Sequence, residues 1–102
     1  MRRISINGAL FMFMKRGEKL THDAIWNDAW GPQNRYVLWP RGEFWDVRFK
    51  NVEGRKLEWL QIADEPFANE NEAWQAALTH WEKQPAFLRN TTELTTDRKS
   101  VY

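Results

Sequence analysis

The chain of 102 residues carries 15 Lys and Arg against 14 Asp and Glu, a formal net charge of +1, and contains no cysteine. Its length fits one domain with a modest core, and 42% hydrophobic with 28% charged residues excludes a disordered, collagen-like or coiled-coil chain. The missing cysteines exclude a disulfide framework, a thiol nucleophile and a thiolate metal site, and make a reducing, cytoplasmic compartment the natural expectation.

The longest apolar run, Ala9 to Met14, is far short of the ~20 residues that span a bilayer, and Arg2 and Arg3 before it do not make a signal peptide. Neither membrane insertion nor export is expected. Tryptophan is the compositional outlier: Trp26, Trp30, Trp39, Trp45, Trp59, Trp74 and Trp81 accompany six Phe and two Tyr. Each large aromatic buries roughly 150–250 Å², so a few suffice for a small core and some indoles are expected at the surface.

In chain order, Ile4 to Met14 alternates and then becomes continuously apolar, which predicts strand one, covered on both faces. Lys15 to Lys19 form a charged turn. Thr21 is placed as the N-cap of a short helix over His22–Trp30, with Leu20 and Ile25 as a hydrophobic staple and Gly31-Pro32 as its stop. Arg35–Trp39, the turn Pro40 to Glu43, and Phe44–Lys50 read as a hairpin, because proline and glycine supply the dihedrals a reversal needs. After the turn Asn51 to Gly54, Lys56–Ala63 completes a meander of three antiparallel strands. Asn69 with Glu72 has capping-box spacing, and Trp74, Ala77, Leu78 and Trp81 form the apolar stripe of a final helix ended by Gln84-Pro85.

The expected fold is therefore α+β. It consists of an antiparallel sheet of about four strands, a C-terminal amphipathic helix on one face, and a short helix between strands one and two. Residues 1–88 make the single domain and residues 89–102 a flexible polar tail. The run of elements from Tyr36 to Lys83 resembles small meander-plus-helix proteins of phages and plasmids, a resemblance of pattern that singles out no family.

Catalytic chemistry finds little support. His22 and His80 share no ligand spacing, so no metal or other cofactor is expected. Ser5 and Ser100 lie in no nucleophile elbow, and the isolated glycines make no phosphate cradle. Glu43 with Asp46 and Asp64 with Glu65 read as solvated carboxylates. The chain is not expected to be an enzyme.

Two binding surfaces are left. Between Leu57 and Glu82 there are six acidic residues and no Lys or Arg. Asp64, Glu65, Glu70 and Glu72 beside Trp59 or Trp74 would suit a basic protein surface, acid steering the encounter and tryptophan supplying buried contact. The plain alternative is that Glu70 and Glu72 favour the helix N-terminus.

The second surface is the hairpin, where Trp39, Arg41, Phe44, Trp45, Arg48 and Lys50 combine stacking rings with cations as single-stranded nucleic-acid binders do. A near-neutral chain lacking a recognition-module signature argues against it. The favoured expectation is a non-enzymatic inhibitor of a larger protein or ribonucleoprotein complex. Its character is that of mobile-element proteins acting against host defence, anti-CRISPR proteins being the best-known type. A homodimer covering its surplus aromatics is a third possibility.

Overall fold

The structure is a computed structural model that describes residues 1–85; the Phe87-Leu88 pair and the expected tail over residues 89–102 lie outside the described residues. It departs at once from a single strand over Ile4–Met14. Asn7 and Gly8 both take positive φ, 52° and 86°, the conformation of a primed two-residue turn for which Asn-Gly is a preferred pair. The run folds into a hairpin of β1 (Arg2–Ile6) and β2 (Ala9–Phe13), with Ile4 opposite Phe11. β1 is exposed throughout, whereas all of β2 is buried, as a continuously apolar strand requires.

From Phe13 the chain crosses the sheet to β3 (Arg35–Arg41), which runs parallel to β2 with Leu10 opposite Arg35 and Phe13 opposite Leu38. Parallel neighbours cannot be joined by a tight turn, and this crossover holds α1 (His22–Trp26) and a 3-10 turn (Asp28–Trp30). Thr21 caps α1, its hydroxyl accepting from the Ala24 amide at 3.2 Å. Asn27 divides the helix expected over His22–Trp30: its side-chain oxygen accepts from the Ala29 amide at 2.8 Å and opens the 3-10 turn. Short amide side chains compete in this way with the helical ladder.

β4 (Phe44–Glu53) pairs antiparallel with β3 and with β5 (Lys56–Gln61), giving the expected meander. The sheet therefore has five strands in the order β1-β2-β3-β4-β5 and is mixed, not four-stranded and all antiparallel. The difference arises at the Asn7-Gly8 turn, which adds a strand, and at the crossover, which makes one pairing parallel.

α2 (Glu70–Glu82) begins at Asn69, whose side chain accepts from the Glu72 amide at 2.9 Å and donates to the Glu72 carboxylate at 3.2 Å. Ala73, Ala77 and Trp81 are fully buried, with Trp74 and Leu78 packed beside them. The two alanines let the helix approach the sheet closely, and Trp81 pins its far end by donating from the indole N–H to the Asn7 carbonyl at 2.9 Å.

Phe11, Phe13, Tyr36, Leu38 and Val47 form the core beneath α2. The opposite face buries Leu10, Met12 and Ala24 beneath the crossover, with Leu20, Trp30 and Trp59 packed against them.

The crossover is fastened by a buried cation. Arg35 is 0% exposed, and its guanidinium donates to the carbonyls of Pro32 (2.9 Å), Asp23 (3.1 Å), Ala24 (2.9 Å), Gly31 (3.2 Å) and Asn27. These include the orphan carbonyls that end a helix. Arg35→Met would strand them in a dry seam, where each unpaired group costs ~1–3 kcal/mol. We expect the unfolding free energy to drop by about 3 kcal/mol or more in denaturant titration, while Arg55→Met in the exposed β4–β5 turn stays within about 0.5 kcal/mol of the parent. Equal stability of R35M and the parent would refute the clamp.

Candidate functional site

Among the described residues no three His, Asp or Glu side chains gather as metal ligands, and every buried side-chain nitrogen or oxygen has a hydrogen-bond partner. His22 is exposed on α1. His80 meets the Tyr36 hydroxyl at 2.6 Å through Nδ1. Burial lowers the His80 pKa, with Lys83 adding to the effect, and burial raises Tyr36 well above its usual value. The tyrosine therefore keeps its proton and donates to a neutral imidazole. Asp46, also buried, accepts from Arg48 Nε at 2.8 Å.

The residues expected to meet a protein partner are dispersed. Asp64 and Glu65 are exposed in the loop after β5, which returns to β4 through paired Trp45 and Phe67 backbones at 2.7 and 2.8 Å. Glu70 lies at the other side of the sheet, in an ion pair with Arg2 of β1. Glu72 belongs to the cap of α2. Trp74 is half-buried against Phe11 and Phe13, with ring centroids 5.0 and 5.2 Å away. Trp59 sits on the opposite face, paired across β4 with Lys50.

Of the hairpin residues, Trp39, Arg41, Phe44 and Arg48 share the crossover face, since Trp39 lies opposite Asp46, Arg41 opposite Phe44, and Val37 opposite Arg48. Arg41 stands over the Trp39 ring at 4.9 Å, and Phe44 is 48% exposed. Trp45 points the other way, toward the α2 core. Lys50 is on the shared face but is buried and engaged with the crossover. Arg55, in the turn at the opposite end of β4, and Lys56, the first residue of β5, stand apart from these cations.

Two adjoining pockets that share Arg2, Phe13 and Glu70 form a groove instead at the end of the sheet that carries the β3–β4 turn. One part, about 420 Å³, is lined by Phe13, Lys15, Arg16, Pro40 and Trp45; the other, about 330 Å³, by Ile4, Phe13, Asn71 and Trp74. Arg2 and Glu70 line both parts, so their ion pair straddles an aromatic floor. Of the expected partner residues, this groove unites Glu70 and Trp74. The chain matches no protein-family model, and no curated protein or solved structure is significantly similar to it.

A further cleft of about 530 Å³ lies where the crossover meets β4, and sequence reasoning did not find it. Lys50 lines it with Trp26, Asp28, Gln33, Asn34, Asn51 and Val52. The Lys50 ammonium donates to the Ile25 carbonyl at 2.8 Å and to Gln33 Oε1 at 2.6 Å, and stands over the Trp26 ring at 4.2 Å. A signal was present: Lys50 has the same strand parity as Arg48 and Asp46, opposite to Val47 and Phe49.

Burial, reinforced by the charge of Arg35 and opposed by Asp28, brings the Lys50 pKa down to about 8. An unfolded lysine keeps its proton to about pH 10.5, so between about pH 8 and pH 10.5 the unfolded state holds more protons and stability must climb with pH. We expect the denaturation midpoint to rise from about pH 8 to about pH 10, and Lys50→Met to abolish the rise. A parent midpoint that falls across this window contradicts the assignment.

Proposed function

We propose that the chain is a non-enzymatic protein-binding module that inhibits or modulates a larger protein or ribonucleoprotein complex by covering part of its surface. The groove at the turn end of the sheet carries this reading. Its floor of Phe13, Trp45 and Trp74 and its charged rim have the make-up of a protein contact, aromatic at the centre and polar around it.

Asp64, Glu65, Glu72 and Glu82 are exposed on the flank formed by the β5–α2 loop and α2, and no Lys or Arg occurs between Leu57 and Glu82. A basic partner surface is the electrostatic complement. A small binder of this kind suits a mobile-element role against host defence, anti-CRISPR-like in character.

The tagged protein, incubated in bacterial lysate with and without nuclease, is expected to retain a stoichiometric protein partner after nuclease treatment. Ile4→Glu at the groove mouth and the double reversal D64K/E65K should each reduce retention at least about tenfold while leaving circular dichroism unchanged. Retention unaffected by both variants, or lost with nuclease, would remove the reading.

The shared face of Trp39, Arg41, Phe44 and Arg48 favours a second reading, a single-stranded nucleic-acid binder. Its affinity for a fluorescent oligonucleotide should fall steeply with salt and be lost in Arg41→Glu. Absence of binding at low salt, or a flat salt response, sinks this alternative.

A further inference from the structure

We propose that the cleft between Trp26 and β4 binds a nucleobase, an uncharged planar heterocycle with hydrogen-bond donors and acceptors on its edge. The proposal is independent of the protein-binding groove, which lies at the other end of β4.

Size and lining both point this way. At about 530 Å³ the cleft is within the range of small-ligand sites. Two of the exposed large apolar residues, Trp26 at 38% and Val52 at 43%, belong to its walls. One comes from the crossover and the other from β4, so an indole and an aliphatic side chain border the same space. Flat rings gain most from such walls, because stacking on an aromatic is indifferent to which base presents its face.

The polar lining selects among flat ligands. Lys50 and Asp28 bring opposite charges to the cleft, and Arg35 lies close enough to influence Lys50. Arg35 is fully buried with its donors spent on carbonyls, and Lys50 is engaged by Ile25, Gln33 and the Trp26 ring, so neither offers an open donor to an anion, and both repel a cation; a neutral molecule is favoured. Besides the contact from Lys50, the Gln33 oxygen keeps one lone pair, and the Asp28 carboxylate keeps further acceptor capacity along the same lining. Gln33 is held rigidly: Lys50 donates to its oxygen, and its nitrogen donates to the Trp26 carbonyl at 2.8 Å and to Asp28 at 2.5 Å. The Trp26 ring is likewise fixed by Lys50 beneath it. The site is thus organised without a ligand, which lowers the entropic cost of binding. A carboxylate and an amide oxygen beside a stacking ring can accept from the N–H groups on the edge of an unpaired base.

The test uses the full chain labelled with nitrogen-15, its Trp26 indole signal assigned through Trp26→Phe. Adenosine, guanosine, cytidine, uridine and thymidine are titrated separately to millimolar concentration, and a short mixed-sequence single strand is titrated in parallel. At least one nucleoside is expected to shift the Trp26 indole and Val52 amide signals saturably while Trp39 stays still. Val52→Trp, which occupies the cleft from its exposed side without touching the Lys50 contacts, should weaken this response about tenfold or more.

Saturation by nucleosides alone identifies free nucleosides as the source of the base. Saturation at much lower concentration by the oligonucleotide identifies a strand. No saturable shift with any nucleoside or with the strand, shifts confined to Trp39, or undiminished binding by a folded V52W protein would each overturn the proposal. Failure here leaves the groove reading standing, because its pull-down variants touch none of these residues.

Discussion

The crossover depends on one guanidinium. A five-residue α-helix followed by a 3-10 turn cannot hold itself together, since helix nucleation is unfavourable and propagation has too few residues to repay it. Arg35 substitutes for the missing length by binding carbonyls from both pieces at once. Arginine suits the position because it offers five donors in a rigid fork, where lysine offers three from one nitrogen. Among the described residues no carboxylate accepts a hydrogen bond from this guanidinium; its solvation consists of backbone dipoles. Lys50 extends the same device to the Ile25 carbonyl, so two strands grip the crossover from beneath.

That grip separates the two faces of the sheet. With the crossover held on one side and α2 on the other, β2 is buried on both faces and becomes the centre of the domain despite following the exposed edge strand β1. Both candidate binding surfaces are then margins of this arrangement. The groove forms where the Asn69 cap brings the start of α2 against β1, and the cleft forms where the crossover stops short of covering β4. Neither is a cavity within a core, which is why each keeps aromatic groups accessible beside charged ones.

Much of the fold was legible from local chemistry. Thr21 and Asn69 cap as their side chains allow, the meander follows from alternation around Gly42 and Gly54, and the apolar stripe of α2 packs against the sheet. The Asn7-Gly8 turn was equally local but masked by the apolar run around it. Parallel pairing of β2 with β3 was less accessible, because nothing in a continuous apolar strand fixes the direction of its neighbour. Lys50 is ambiguous for a physical reason: by composition alone, a cation among strand aromatics suits phosphate as well as a helix carbonyl, and only the crossover decides. The acidic residues were legible as a charge pattern, but their division between the β5 side and the β1 side depends on the path of the chain into α2.

The tryptophan surplus also acquires an explanation inside the molecule. Only Trp26 is exposed; Trp81 is buried and the other five are intermediate. Arg3 stands over Trp30 at 3.9 Å, Arg41 over Trp39 and Lys50 over Trp26, with Arg2 over Phe13 at 4.7 Å. Such pairs occur about once per 70–80 residues in ordinary proteins, so four among the described residues indicate a recurring means of seating cations at the sheet margins. Arg3 and Lys50 in particular tie the crossover to β1 and β4 through the Trp30 and Trp26 indoles. Tryptophan content therefore reports first on how this sheet holds its covering layer. The case for a ligand or partner rests on the narrower fact that Trp26, Trp45 and Trp74 still line open space after those internal contacts are made.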